Sequence, residues 1–296
     1  MTRNIKGIIL AGGSGTRLYP LTMAVSKQLL PVYDKPMVYF PLTTLMLAGV
    51  RDIAIITTPQ DQSQFVRLLG DGSQWGVSLT YLVQEKPEGL AQAYLIAKNF
   101  LNDADSLMAL GDNIFFGSGL TDKLRTATQS DKGATVFGYQ VTQPDRYGVL
   151  GFNDAGEVNQ IIEKPNKPPS NLAVTGLYLL DKTAPAKAAS IKKSARGELE
   201  ITSVLNLYLE EGQLSVEKLG RGYAWFDTGT HASLLEAGNF VKTLSERQSV
   251  QIGCPEEIAF DQGWISADDL KASGKRLGKS SYGEYLRALA DASGAP

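Results

Sequence analysis

Short apolar, β-branched runs alternate with segments of helical spacing through the first half of the chain. Ile5 to Leu10 is the first such run, and it ends at Gly12-Gly13. Pro36 to Leu47 predicts a helix, with Pro36 in the first turn, where its missing N–H is no loss, and Gly49 just past the end. Asp52 to Thr57 reads as a buried strand, Asp61 to Leu69 as a helix closed by Gly70, and Val77 to Val83 as a strand. Leu90 to Phe100 has helical spacing, and Ser106 to Leu110 is apolar again. Strands alternating with helices build βαβ units, whose right-handed crossovers give a parallel sheet.

The second half is less regular. Ala134 to Val141, Tyr147 to Phe152, Val158 to Glu163 and Val174 to Leu180 predict strands, with a turn at Asp154-Ala155-Gly156 and a polar loop from Asn166 to Asn171. Glu200 to Glu211 predicts a helix, and Val216 to Phe226 one or two strands. From Ala232 onward helical patterns dominate, with little strand signal after Val250. The division expected is an α/β core over residues 1–230 and a helical segment over 231–296 packed on it.

Composition narrows the classes of function. Lys plus Arg number 29 against 31 Asp plus Glu, a net charge of -2, which excludes a diffuse basic surface for nucleic acid or anionic membrane. An anionic ligand must therefore meet a few well-placed cations. The single cysteine, Cys254, gives no disulfide framework, and no apolar stretch has the length of a signal peptide or membrane span. A cytoplasmic protein is expected. Glycine is mildly enriched, 30 of 296 residues, so the positions of the glycines matter.

Leu10-Ala11-Gly12-Gly13-Ser14-Gly15-Thr16-Arg17 follows the first strand. Glycines there let successive N–H groups face a phosphate, and Arg17 adds a planar charged fork. The string fits neither a dinucleotide fingerprint nor a Walker A loop, and Gly274 to Ser280, one residue short of the latter, follows no strand. Asp112 comes just after the strand ending at Leu110, and Asp227 sits in Trp225-Phe226-Asp227-Thr228-Gly229 at another apparent strand end. Carboxylates beyond strand ends face a ligand crevice, and Mg²⁺ needs only one or two beside phosphate oxygens. Taken singly, each aspartate is also an ordinary turn or cap residue. His231, the only histidine, leaves no material for a zinc site or a His-dependent triad and suits a helix start.

The glycine loop together with Ser26-Lys27-Gln28-Leu29-Leu30-Pro31-Val32-Tyr33-Asp34-Lys35-Pro36 resembles the signature of the sugar-phosphate nucleotidyltransferases, in particular the thymidylyltransferase branch. The resemblance covers almost the whole length. It implies a Rossmann-like α/β fold: a mixed, mainly parallel sheet flanked by helices, with a helical C-terminal segment. The implied activity is transfer of a thymidylyl group from dTTP to glucose 1-phosphate, giving dTDP-glucose and pyrophosphate at the head of dTDP-rhamnose and deoxysugar synthesis.

Residue by residue, the resemblance places the nucleotide at Leu10 to Arg17, Gln28, Asp112 and a base-reading segment with Gln84, Pro87 and Gly89. Tyr147, Gly148, Glu163, Lys164, Val174 and Trp225 match its sugar-phosphate side, although Trp225 reads equally well as a core residue. Arg17, Lys27 and Lys164 are the expected catalytic cations, and Asp112 and Asp227 the expected Mg²⁺ ligands. A homotetramer with a dTDP-sugar regulatory site is also implied, without residues to locate that site. Three positions depart from the pattern: Ser203 for an aspartate, Ser118 for a histidine and Phe226 for a leucine. Two alternatives stay open, a transferase using UTP or another sugar 1-phosphate, and a non-catalytic nucleotide-sugar sensor.

Overall fold

The computed structural model describes residues 3–248 and 251–292. Met1, Thr2, positions 249 and 250, and the last four positions of the expected helical segment lie outside them. In chain order the strands that matter are β1 (Ile5–Ala11), β2 (Asp52–Thr57), β3 (Ser78–Val83), β4 (Asp105–Leu110), β5 (Asn113–Gly117) and β6 (Ala134–Gln140). They continue as β7 (Gly148–Phe152), β8 (Val158–Glu163), β9 (Leu172–Leu180), β10 (Leu214–Leu219) and β11 (Tyr223–Asp227).

Among the described residues, nine of these strands form one mixed sheet. Its path runs β8-β7-β9-β4-β1-β2-β3, with β6 paired to β9 and β10 paired to β6. The stretch β4-β1-β2-β3 is parallel, as the alternating pattern requires, and β9 joins β4 antiparallel. The chain runs outward from β1 to β3 and then returns to the other side of β1 as β4. That reversal opens a crevice at the carboxyl ends of β1 and β4, where such sheets bind ligands. Residues of β1 alternate between two cores. Ile9 and Ala11 face the cluster of Leu42, Leu45 and Phe65, whereas Ile8 and Leu10 face that of Tyr94, Leu101 and Tyr178.

Most predicted elements stand, and the differences have local causes. The helix expected from Pro36 begins only at Tyr39 and runs to Leu47. Pro36 belongs instead to a two-residue ladder, Pro31–Val32 against Lys35–Pro36, and the amides of Met37 and Val38 are spent on the carbonyls of Leu30 and Gln28. The helical stretch after Leu90 is two short helices, Gln92–Ile96 and Lys98–Leu101, and the amide of Ala91 just before the first bonds the carbonyl of Leu199. Strand β5 and the helices Leu120–Thr128 and Ala184–Ser190 extend the predicted set. β5 pairs antiparallel with β11 in a separate two-stranded sheet, with Asn113 opposite Asp227.

Among the described residues, four helices follow β11: His231–Gln248, Pro255–Asp261, Ala267–Arg276 and Ser281–Ala292. The first buries Ala237 and Val241 against Val32, Met37, Phe40 and Ile114, so it clamps the small ladder and β5 together. Phe226 lies 5.0 Å from Phe240 of that helix, and Phe116 lies 5.7 Å from the same ring, an aromatic contact that accounts for phenylalanine at this position. His231 starts the helix. Ser118 is exposed, and Ser203 is half-buried in the helix Ile201–Glu210.

Candidate active site

The turn after β1 is held open by its glycines. Gly13 and Gly15 adopt φ values of 105° and 59°, which a side chain would strain. Gly12 is constrained differently: a Cβ there would lie 2.1 Å from Oε1 of the buried Gln84. The amides of Gly13, Ser14 and Gly15 have no hydrogen-bond partner among the described residues, so the turn presents donors to the crevice. Thr16–Leu18 is a single 3₁₀ turn that carries Arg17 outward, exposed.

Pairing of β4 with β1, Leu110 beside Leu10, brings Asp112 next to this turn. Gly111 fits where a Cβ would come within 2.8 Å of the Leu10 carbonyl oxygen. Lys27 Nζ lies 2.5 Å from Asp112 Oδ2, and Asn113 donates to the other carboxylate oxygen at 2.7 Å. Thr228 donates from its hydroxyl to the Asp112 carbonyl at 2.8 Å, which ties the strand end bearing Asp227 to the one bearing Asp112. Burial raises the Asp227 carboxyl above the usual carboxylate range, and the Asp112 charge raises it further against the pull of Lys27, Arg146 and Arg17. Two hard-oxygen donors that repel each other in a half-buried place fit a divalent cation.

Two cavities meet at these residues. One of about 250 Å³ is lined by Gly12 to Leu18, Lys27, Gln28, Asp112 and Asp227. The other, about 590 Å³, shares Arg17, Asp112 and Asp227 and extends to Tyr147, Gly148, Glu163, Lys164, Val174 and Trp225. Lys164 sits at φ 42°, left-handed, just past the end of β8, and its amide donates to the Tyr147 carbonyl. Glu163 is raised chiefly by burial and then by the neighbouring Glu200. Trp225 is both wall and packing residue, with its Nε1 2.6 Å from Asn113 Oδ1 and its ring 5.0 Å from that of Tyr147.

Some expected residues stand apart. Leu10 and Ala11 are buried strand residues whose side chains belong to the core. Gln84, Pro87 and Gly89 line neither cavity, and Gln84 spends its amide nitrogen on Gln92 Oε1 at 2.7 Å. Gly89 has a packing reason of its own: at φ 109° its Cβ would lie 2.4 Å from the Leu199 carbonyl oxygen. Leu199 also donates its amide to Glu88 and accepts from Ala91, so this segment and the loop before the helix Ile201–Glu210 are stitched through main chain.

The larger cavity also holds two arginines that the sequence did not single out. Arg146 stands 3.8 Å from Asp227 and packs over the Tyr147 ring, and Arg196 lies 3.3 Å from Glu163. Their adjacency to Tyr147 and to the Glu198–Glu200 stretch was the available signal.

The model of the nucleotidyl transferase family matches residues 6–243. The chain belongs to the nucleotidyl transferase family. Within that family it is 61% identical to the glucose-1-phosphate thymidylyltransferase of Xanthomonas campestris pv. campestris, over 96% of this chain and 97% of that one. The enzyme of the same name from Neisseria meningitidis is 54% identical, over 96% and 99% of the two chains. A crystal structure from Bacillus anthracis, assigned as a glucose-1-phosphate thymidylyltransferase and holding a sucrose, superposes with a TM-score of 0.74 at 41% identity, covering 80% of this chain and 94% of that one. A UDP-glucose pyrophosphorylase bound to UDP-glucose shares the fold at TM-score 0.72 and 23% identity, over 82% and 99% of the chains. The nucleotidyl transferase fold thus agrees with the α/β architecture expected of the sequence.

Proposed function

We propose that this nucleotidyl transferase moves the thymidylyl group of dTTP onto glucose 1-phosphate and releases pyrophosphate. The observation that carries the reading is the meeting of two cavities at Arg17, Asp112 and Asp227, one beneath the glycine turn and one walled by Glu163, Lys164 and Trp225. A nucleotide triphosphate and a sugar phosphate can occupy them with their phosphates adjoining. Likeness to thymidylyltransferases at 61% and 54% identity supports thymine and glucose as the substrates.

A sugar phosphate has a second pKa of about 6, so its oxygen is already a nucleophile at neutral pH and no side chain need remove a proton. That oxygen attacks the α-phosphorus of dTTP as the bond to the β-phosphate oxygen breaks, and the electron pair leaves with pyrophosphate. Catalysis is then alignment and charge neutralisation. Arg17 and Lys27 take up charge on the triphosphate and leaving group. Lys164, fixed by its left-handed backbone, meets the sugar's phosphate, while Glu163 accepts from sugar hydroxyls. Asp112 and Asp227 would hold Mg²⁺, which when bound supplies further neutralisation of phosphate charge.

Among the described residues no helix is long and apolar enough to cross a membrane. Cytoplasmic location and a homotetramer belong to the same proposal, on the strength of the sequence resemblance. Pyrophosphate release across a panel of dTTP and UTP with several sugar 1-phosphates tests the reading. dTTP with glucose 1-phosphate should be fastest, with UTP measurable, because one methyl in an apolar pocket is worth only about 1–3 kcal/mol. No release with any pair would overturn it and leave the nucleotide-sugar sensor.

A further inference from the structure

Glu200 is a carboxylate in a place that ordinarily rejects one. It is 5% exposed, and it does not line the cavity where the sugar phosphate is proposed to sit. A buried charge survives only with partners. Its Oε1 accepts from Ser194 Oγ at 2.8 Å and from Arg196 Nη1 at 3.3 Å. The same Nη1 lies 3.3 Å from Glu163 Oε1, and Nη2 reaches Glu198 at 3.2 Å. One guanidinium is therefore shared between a carboxylate facing the cavity and two behind it.

The supports of this arrangement are rigid. Glu200 stands at the N-terminus of the helix Ile201–Glu210, where the helix dipole favours a negative charge, although its side chain makes no hydrogen bond to the first-turn amides. Arg196 rides on a tight turn closed by hydrogen bonds from the Ser194 amide to the Glu198 carbonyl and from the Gly197 amide to the Ser194 carbonyl. From the next turn of chain, Thr202 comes against Gly148 and lowers the Glu163 pKa against the effect of burial.

We infer that Glu200 is a positioning residue for sugar-phosphate binding, holding Arg196 against Glu163 so that the cation and the hydroxyl acceptor are both in place before the substrate arrives. The inference rests on the function proposed above. The groups that face Glu163 are Lys164 at 3.7 Å, Arg196, Glu200, the Thr202 hydroxyl and the buried Tyr178. Burial raises Glu163 most and Glu200 next, whereas Lys164, Arg196 and Thr202 lower it.

Glu200→Gln keeps the shape and removes the charge. The KM for glucose 1-phosphate should rise roughly tenfold to a hundredfold, the cost of a misplaced binding group. The KM for dTTP should stay within about twofold, since no uniform binding of nucleotide is lost. The acid limb of kcat/KM for the sugar phosphate should move to lower pH, because Glu163 ionises more readily without its neighbour. Ser194→Ala leaves the charge and loosens its seat; it should raise the same KM less and leave the acid limb where it was. Unchanged sugar-phosphate KM in both variants overturns the inference. So does a rise of both substrates' KM together with a fallen melting temperature, which marks a structural residue only. If Glu200→Gln does not fold, an unchanged sugar-phosphate KM in Ser194→Ala overturns it. Wild-type protein that releases no pyrophosphate overturns the functional reading instead.

Discussion

Lys27 Nζ lies 2.5 Å from Asp112 Oδ2, a closer contact than the 3.8 Å between Arg146 and Asp227 at the same junction of the two cavities. Replacing it by methionine leaves Asp112 and Asp227 facing each other with less compensation and removes positive charge from the triphosphate side. Turnover by Lys27→Met should fall by about 10²–10³, the usual loss for one preorganised electrostatic group. Steady-state pyrophosphate release measures it, and turnover within threefold of wild type, roughly 0.6 kcal/mol of barrier, would exclude a direct role.

Arg17 is exposed and makes no hydrogen bond or close ion pair among the described residues. Its loss should cost the fold almost nothing. Arg17→Ala is expected to lower kcat by about a hundredfold or more while the melting temperature stays put. Near-normal turnover would remove Arg17 from the mechanism.

Asp227 is raised by burial and by Asp112, so its charge is tolerated at some expense. Asp227→Asn should abolish Mg²⁺-dependent turnover and, in metal-free buffer, raise the melting temperature. A site that holds repelling charges for a ligand trades stability for activity in this way. Unchanged Mg²⁺ dependence in the variant would remove Asp227 from the metal site.

Glu163 gives opposite pH slopes for stability and activity. Its folded-state pKa is raised, so the stability it contributes is complete below the ordinary glutamate range and is lost as pH rises through the raised value. Sugar binding needs the ionised form and improves over that same interval. Glu163→Gln should therefore be more stable than wild type at neutral pH, with the difference vanishing in acid, and should have a higher sugar-phosphate KM throughout. Thermal melts from pH 4 to pH 8 test the sign.

Gly12 and Gly89 should fail differently. A Cβ on Gly12 strikes the carboxamide of Gln84, which Gln92 holds, so Gly12→Ala should chiefly raise the KM for dTTP. A Cβ on Gly89 strikes main chain at φ 109°, and Gly89→Ala should cost about 1–3 kcal/mol of stability, read by urea melts.

Much of the parallel core was legible because its strands bury both faces and its helices return at regular intervals. The placing of the glycine turn after β1 and of Asp112 after β4 was legible for the same reason: a glycine turn and a lone aspartate stand out after apolar runs. Arg196 and Glu200 were not, because their role comes from a turn folding back on β8, a relation that no local period records. Gly89 was legible as a required glycine, but its packing against Leu199 was not, since Leu199 lies 110 positions away in the chain. Pro36 misled because proline suits an edge ladder as well as a first helical turn.

The stitch between Leu199 and the Glu88–Ala91 segment bears on how far the larger cavity can be treated as an exchangeable part. Leu90 on one side of it and Ile201 and Thr202 on the other line this cavity. These two walls share a seam of main-chain bonds that no side-chain grafting can copy. A chimera that imports a relative's version of this cavity must import its seam too, or the two walls will settle at a new angle to each other.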